Sequence, residues 1–226
     1  MLRIRGLCIC GVRTFWRTEA DGDFYCPGCG GDRRYRRRVG TRKLTVLGIP
    51  LVSRGSGGTI VECAVCRTAY GLEALSVPTS SRLTVMLRDA VYTVALAVLV
   101  AGGYGSTQIR RMATETVNEV GFTGCTEEQL TAMLESLTSS ADDLDDTVDG
   151  CGSWLSIELH ESLEPLAEHL APQGRERILL QGARIALADG PYTPAERETL
   201  AAVGRCLRMS ETETEAVLEA ATRRTA

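Results

Sequence analysis

The chain has 226 residues, 44% of them hydrophobic and 24% charged, with a net charge of -4. This length and balance fit a globular protein of one large domain or two small ones. They argue against export and against a membrane span. The opening MLRIRGLCICG has no apolar core before a small-residue cleavage site, and the longest charge-free apolar run, Ala90 to Ala101, falls short of the roughly 18 to 20 residues a bilayer requires. A cytoplasmic location is therefore expected. Charge is divided unevenly: residues 1–78 carry 13 Arg or Lys against 6 Asp or Glu, and residues 79–226 carry 12 against 23. Two modules with different partners are implied. Nine cysteines without an export signal point to a reducing compartment, where thiols bind metal or stay free.

In chain order the first feature is Cys8-x-Cys10. On a strand this spacing puts both sulfurs on one face. They read either as small apolar residues or as an accessory metal or redox pair. Next come two Cys-x-x-Cys pairs, Cys26-Pro-Gly-Cys29-Gly30 and Cys63-Ala-Val-Cys66. Two intervening residues let both sulfurs of a pair turn toward one tetrahedral ion, and two pairs close a four-thiolate shell. The glycine after Cys29 is expected to free backbone N–H groups to point at a thiolate. Between the pairs, KLTVLGIPLV and TIVEC are short β-branched runs around the loop SRGSGG, which read as strands. So small a β unit needs a metal as its core, and structural Zn2+ is expected. No strand-helix-strand pattern stands near either pair to support a thioredoxin-like reading.

The densest charge cluster, Arg33 to Arg38 (RRYRRR), directly follows the first pair. Arginines placed there could neutralise nucleic-acid phosphates. They could equally form a solvated strand edge or dock on the acidic half of the same chain.

Beyond the linker LSVPTSS the pattern becomes helical. Leu83 to Ala101 is apolar on most sides and reads as a central core helix. Leu155, Leu159, Leu163, Leu166 and Leu170 trace one stripe on a segment that Pro165 is expected to kink or divide. Thr126/Gln129, Thr193/Glu196 and Ser210/Glu213 each place a hydroxyl three residues before Glu or Gln, the pattern of a capping box. Two helical units echo each other when VAGGYGSTQI is aligned with LADGPYTPAE. Gly102 then stands opposite Asp189, Gly103 opposite Gly190, Ser106 opposite Thr193 and Ile109 opposite Glu196. Cys125, Cys151 and Cys206 have no local partners and read as buried thiols. The expected fold class is two domains: a small β zinc ribbon, residues 1–77, followed by an all-α helical bundle with an internal repeat, residues 78–226.

Three motif-like stretches fail on inspection. DDLDDTVDG, started at Asp145, has Ser156 where a calcium loop needs its bidentate glutamate. HESLE has Glu164 where a zinc-protease helix needs a second histidine. AGGYGS lacks the Lys-Ser/Thr ending of a phosphate loop.

In RIALADGPYTPAERETLAAVGRCLRMSETETEAVL the chain resembles the TerB family, the tellurite-resistance-associated helical domain. The segments GVRTF, FYCPGCGGDRRYRRR, IPLV and VECAVCRTAYG resemble the zinc ribbon that precedes such domains in some actinobacterial proteins. The resemblance implies an all-helical domain with internal repeats and acidic residues that bind a divalent cation, Ca2+ or Mg2+. It also implies a scaffold role in tellurite and stress-response complexes near the membrane, with protein partners. Asp189 and Glu196 carry over as candidate cation ligands, while Gly102 and Ile109 replace the corresponding acids of the first unit. Capping is by itself a sufficient explanation for Glu196. Asp189 at a helix end, where the macrodipole disfavours negative charge, calls for a nearby helix start or a cation.

Catalysis would require a base held beside a nucleophile, a proximity that sequence alone does not display, and the leading expectation is a non-enzymatic, metal-binding interaction module. The alternative is a nucleic-acid-binding regulator using Arg33 to Arg38. A thiol redox sensor using Cys8 and Cys10 is the third reading.

Overall fold

The computed structural model describes residues 10–46, 49–142 and 150–225. They fall into two compact units, divided between Arg82 and Leu83. The first is an antiparallel meander of β1 (Cys10–Cys26), β2 (Gly31–Val46), β3 (Ile49–Cys63) and the two-residue β4 (Ala69–Tyr70), in spatial order β1-β2-β3-β4. A 3-10 turn, Leu72–Leu75, follows.

The first three strands, of 17, 16 and 15 residues, are much longer than the β-branched runs suggest. The arginine cluster belongs to the central strand β2, not to an edge. Pairing holds Tyr35 opposite both Gly22 and Cys63, and Arg37 opposite Val61. Side chains of one parity then converge at the cysteine end, where Phe24, Cys26, Val61 and Cys63 are the buried apolar residues. Phe24 meets the rings of Tyr35 and Tyr70 edge-on, at 5.7 and 6.0 Å between centroids. Farther out, the Trp16 ring covers Gly40 so closely that a Cβ there would lie 2.9 Å from a ring carbon. An aromatic laid over a strand glycine in this way restores cover the glycine cannot supply.

The second unit is all-helical: α1 (Ser80–Gly102), α2 (Thr107–Glu119), α3 (Glu127–Asp142), α4 (Gly150–Ala167), α5 (Pro172–Ala186), α6 (Pro194–Cys206) and α7 (Glu211–Thr225). By length and composition α1 could cross a membrane. Its residues Ala90, Val91 and Thr93 to Leu99 are instead inside the bundle, which is the position of a helix apolar all round. Gly182 lets α5 approach α1, since a Cβ there would meet Val94 Cγ1 at 2.7 Å. The α4 stripe is buried from Leu155 to Leu166, with Leu170 partly buried beyond the helix end. Pro165 does not divide the helix, which runs on through it to Ala167. Close to the last turn a proline disrupts little downstream, and the Arg175 guanidinium donates to the Ala167 carbonyl at 2.7 Å.

The three expected capping boxes are present, with reciprocal hydrogen bonds in Thr126/Gln129, Thr193/Glu196 and Ser210/Glu213. The aligned positions of the two echoing turns share local backbone. Gly103 and Gly190 both take positive φ, and Ser106 and Thr193 both stand in extended conformation at a helix start. Only Thr193 caps with its side chain; Ser106 makes no such bond. Cys125 and Cys206 are half-buried rather than buried, and desolvation raises the pKa of both thiols. Cys8, the side chains of Cys10 and Cys151, and most of the acidic run after Asp142 lie outside the described residues.

Candidate metal centre

The β1–β2 connection carries Cys26 and Cys29, and the turn after β3 carries Cys63 and Cys66. Antiparallel pairing of β2 with both neighbours brings the two turns to one end of the sheet. Each turn has the same backbone device. The N–H of Gly30 donates to the Cys26 carbonyl at 2.9 Å, and that of Arg67 donates to the Cys63 carbonyl at 3.1 Å. These N–H groups tie each turn to the first cysteine's carbonyl, while the backbone N–H groups that reach sulfur are those of Cys29 on Cys26 and Thr68 on Cys66. Both donors sit at positive φ, 65° for Gly30 and 60° for Arg67. Glycine adopts that conformation without strain, whereas arginine there costs about 1–2 kcal/mol.

The four Sγ atoms lie within 4.8 Å of one another. Cys26 and Cys66 are 3.8 Å apart, and Cys29 and Cys63 are 4.0 Å apart. A tetrahedral ion with metal–sulfur bonds of about 2.3 Å has sulfur–sulfur edges of about 3.8 Å. The shell therefore fits a metal ion with four thiolate ligands and leaves no coordination position free. Among the described residues this is the one group of three or more Cys, His, Asp or Glu side chains that converges in this way.

The electrostatics agree with the geometry. Burial, reinforced by the neighbouring sulfurs of Cys26, Cys66 and Cys63, pushes the Cys29 thiol up to about 11. Hydrogen bonds from the Thr68 side chain and backbone bring Cys66 down to about 6. Burial pushes Cys26 upward, but the Tyr70 hydroxyl and the Cys29 backbone outweigh it, and its pKa falls below the ordinary thiol value. Four sulfurs this close cannot all ionise unless a cation sits among them.

Tyr70, four residues after the last cysteine, completes the site and was not singled out by the sequence reading. Its hydroxyl lies 3.5 Å from Cys26 Sγ and accepts the Gly28 N–H at 3.1 Å. That packing leaves no room for a side chain at Gly28, whose Cβ would stand 2.6 Å from the hydroxyl oxygen. The only sequence signal was a tyrosine at the end of a short turn, a pattern too common to carry a role by itself.

The arginine cluster beside this centre is largely occupied. Arg34 pairs with Asp21 at 3.2 Å, Arg37 with Glu19 at 3.2 Å, and Arg38 with Glu62, which also meets Arg67 at 3.5 Å. Arg33 donates to the Asp32 carbonyl at 2.7 Å.

The two acids carried over by resemblance take different places in the helical unit. Glu196 is 2% exposed, and its carboxylate accepts the Thr193 N–H at 2.8 Å while its own N–H donates to the Thr193 hydroxyl at 3.2 Å. It packs on Gly102, where even a Cβ would clash with the carboxylate. Asp189 is exposed at the end of α5. Among the described residues, neither belongs to a converging group of three ligands.

The family model for tellurite resistance protein TerB matches residues 89–219. No curated protein and no solved structure matches the chain. The matched region is more than half of the chain and covers the helical unit from within α1 into α7; this protein belongs to the TerB family.

Proposed function

We propose that this protein is a non-enzymatic scaffold of tellurite resistance and stress response, in which a zinc ribbon is joined to a TerB helical domain. The observation that carries the reading is the closed four-sulfur shell. A catalytic zinc keeps a coordination position open for water or substrate, and a structural zinc does not. Zinc is the ion favoured by four thiolates in tetrahedral array, and a reducing cytoplasm keeps those thiols available to it. Protein partners, including a membrane-associated stress-response complex, are the expected ligands of the two modules. One metal per chain is proposed. Glu196 is held by its capping box, and Asp189 alone offers too few oxygens for Ca2+ or Mg2+.

Two measurements test this. Elemental analysis of the purified chain is expected to find one zinc, unchanged by Asp189→Ala; a second metal lost in that variant would assign a cation to the acidic turn. Deleting the gene from its host is expected to lower growth on graded potassium tellurite. The wild-type chain should restore growth, and a chain with Cys63→Ser and Cys66→Ser should not. Unchanged tolerance would remove the link to tellurite.

A further inference from the structure

Among the described residues, the outer part of the β meander packs against no second layer of buried apolar side chains. Residues 10–18, 38–46 and 49–60 pair as a three-stranded arm beyond the cysteine end, and no hydrophobic side chain described there is buried. A sheet ordinarily buries at least one face, so an arm open on both is unfinished without something outside it. Its composition is one-sided as well. These segments hold Arg13, Arg17, Arg38, Arg42, Lys43 and Arg54 and no aspartate or glutamate. Only Arg38 forms an ion pair among the described residues, through Glu62. Among the described residues the unpaired charge of the ribbon is thus concentrated on the arm, where five of six cations form no ion pair, against two of five, Arg33 and Arg36, in the RRYRRR cluster that stands out in the sequence.

The order of side chains along the arm identifies the partner. At the tip, Val12 stands opposite Leu44 and Leu44 opposite Val52, with Ile49 opposite Val46 two positions farther out. Ile49, Val52 and Val12 are 62, 57 and 54% exposed. Directly behind them Arg13 faces Lys43, and Arg42 follows on the opposite face. Phe15 then lies beneath the Lys43 ammonium, 5.6 Å from the ring centroid, and Trp16 is exposed on the other face. The sequence from Val12 to Trp16 spans about 13 Å at about 3.3 Å per residue. An apolar end, then a collar of cations, then aromatic rings is the polarity profile of a lipid interface read from acyl chain to headgroup. A nucleic acid would be served by cations and stacking rings on one face, whereas Phe15 and Trp16 point to opposite faces.

We propose that this arm docks on an anionic phospholipid surface, with Val12, Ile49 and Val52 entering the headgroup–acyl boundary and Arg13, Arg42, Lys43 and Arg54 meeting lipid phosphates. Among the described residues, backbone groups along the outer edges of β1 and β3 have no strand partner in the arm, which confines docking to the interface and excludes the hydrocarbon core. The inference does not depend on the link to tellurite.

Vesicle flotation of the full zinc-loaded chain tests it. Binding is expected to mixed phosphatidylglycerol–phosphatidylcholine vesicles at low salt and not to phosphatidylcholine alone. Arg42→Glu with Lys43→Glu should lower the partition coefficient at least about 25-fold, since each cation near the surface contributes about a factor of five. Ile49→Asp with Val52→Asp should abolish the binding that survives at moderate salt. Zinc content and circular dichroism of each variant verify folding. In a Trp154→Phe background, Trp16 emission should shift to the blue on adding anionic vesicles. Absence of flotation at low salt, or flotation untouched by both double variants, overturns the proposal. So does retention by DNA or RNA that anionic vesicles fail to displace. Emission that is already blue before lipid is added, and moves to the red with salt, would assign the arm to the acidic half of the chain and also overturns it.

Discussion

The two units solve the problem of a hydrophobic core in opposite ways. Among the described residues, the ribbon buries four apolar residues, two of them cysteines, whereas the helical unit buries 27 in one continuous cluster. At about 25 cal/mol per Å2 of apolar surface, a core as small as the ribbon's cannot offset the conformational entropy of its ordered strands. A metal closing the four thiolates would supply what burial does not and would couple folding of the ribbon to the ion. The helical unit has a large apolar core of its own and is not expected to share that dependence. This difference teaches that one chain can carry two stability regimes, one chemical and one hydrophobic, which respond to different perturbations.

The largest expected effect breaks the comparison on the ribbon side. Excess chelator, or Cys63→Ser, should abolish the folded β unit and leave the helical far-UV signal in place. Amide dispersion in NMR spectra, with and without added zinc, measures it. A ribbon that stays folded without metal would mean that Phe24, Val61 and their neighbours suffice, and the contrast between the units would fail.

The reciprocal experiment acts on the helical side. Leu179 is fully buried in α5, and Leu179→Ala should destabilise the helical unit by about 2–5 kcal/mol. Thermal unfolding followed at 222 nm would report it as a lowered Tm, with zinc stoichiometry unchanged. A simultaneous loss of zinc would show that the two regimes are coupled.

Much of this contrast was legible in the sequence, because the features behind it are local. Two Cys-x-x-Cys pairs fix ligand spacing within a turn, and a hydroxyl three residues before Glu or Gln fixes a helix start. The cysteine quartet and all three capping boxes therefore came directly from spacing. What depended on register did not. Arg34, Arg37 and Arg38 appear as free charge in a linear string, yet antiparallel pairing sets them against Asp21, Glu19 and Glu62. Tyr70 reaches Cys26 across 44 positions. The lengths of β1 to β3 were equally hidden, since their outer halves lack the alternation that a buried face imposes. Pro165 is expected from sequence to kink or divide its segment, and the helix instead continues through it because it lies so near the end of α4.

A smaller effect sharpens the comparison within the ribbon. Tyr70→Phe keeps the ring against Phe24 but removes the hydroxyl that meets Cys26 Sγ and the Gly28 N–H. Loss of such an outer hydrogen bond typically lowers metal affinity 10- to 100-fold. Competition with a chromophoric chelator should place Tyr70→Phe about tenfold weaker than the wild-type chain. An unchanged affinity would mean that the four sulfurs alone define the site.

The smallest effect concerns Thr193, and it separates capping from ion binding at the acidic turn. Thr193→Ala removes the hydroxyl that accepts the Glu196 N–H but leaves the Thr193 backbone N–H donating to the carboxylate. An N-cap of this kind contributes about 1 kcal/mol, and the Tm of the helical unit should fall accordingly. Because the buried carboxylate of Glu196 keeps its backbone donor, the loss should not exceed that of a simple cap, and added Ca2+ or Mg2+ should not restore it. Recovery of the Tm by a divalent cation would show that the carboxylate serves an ion as well as the helix start.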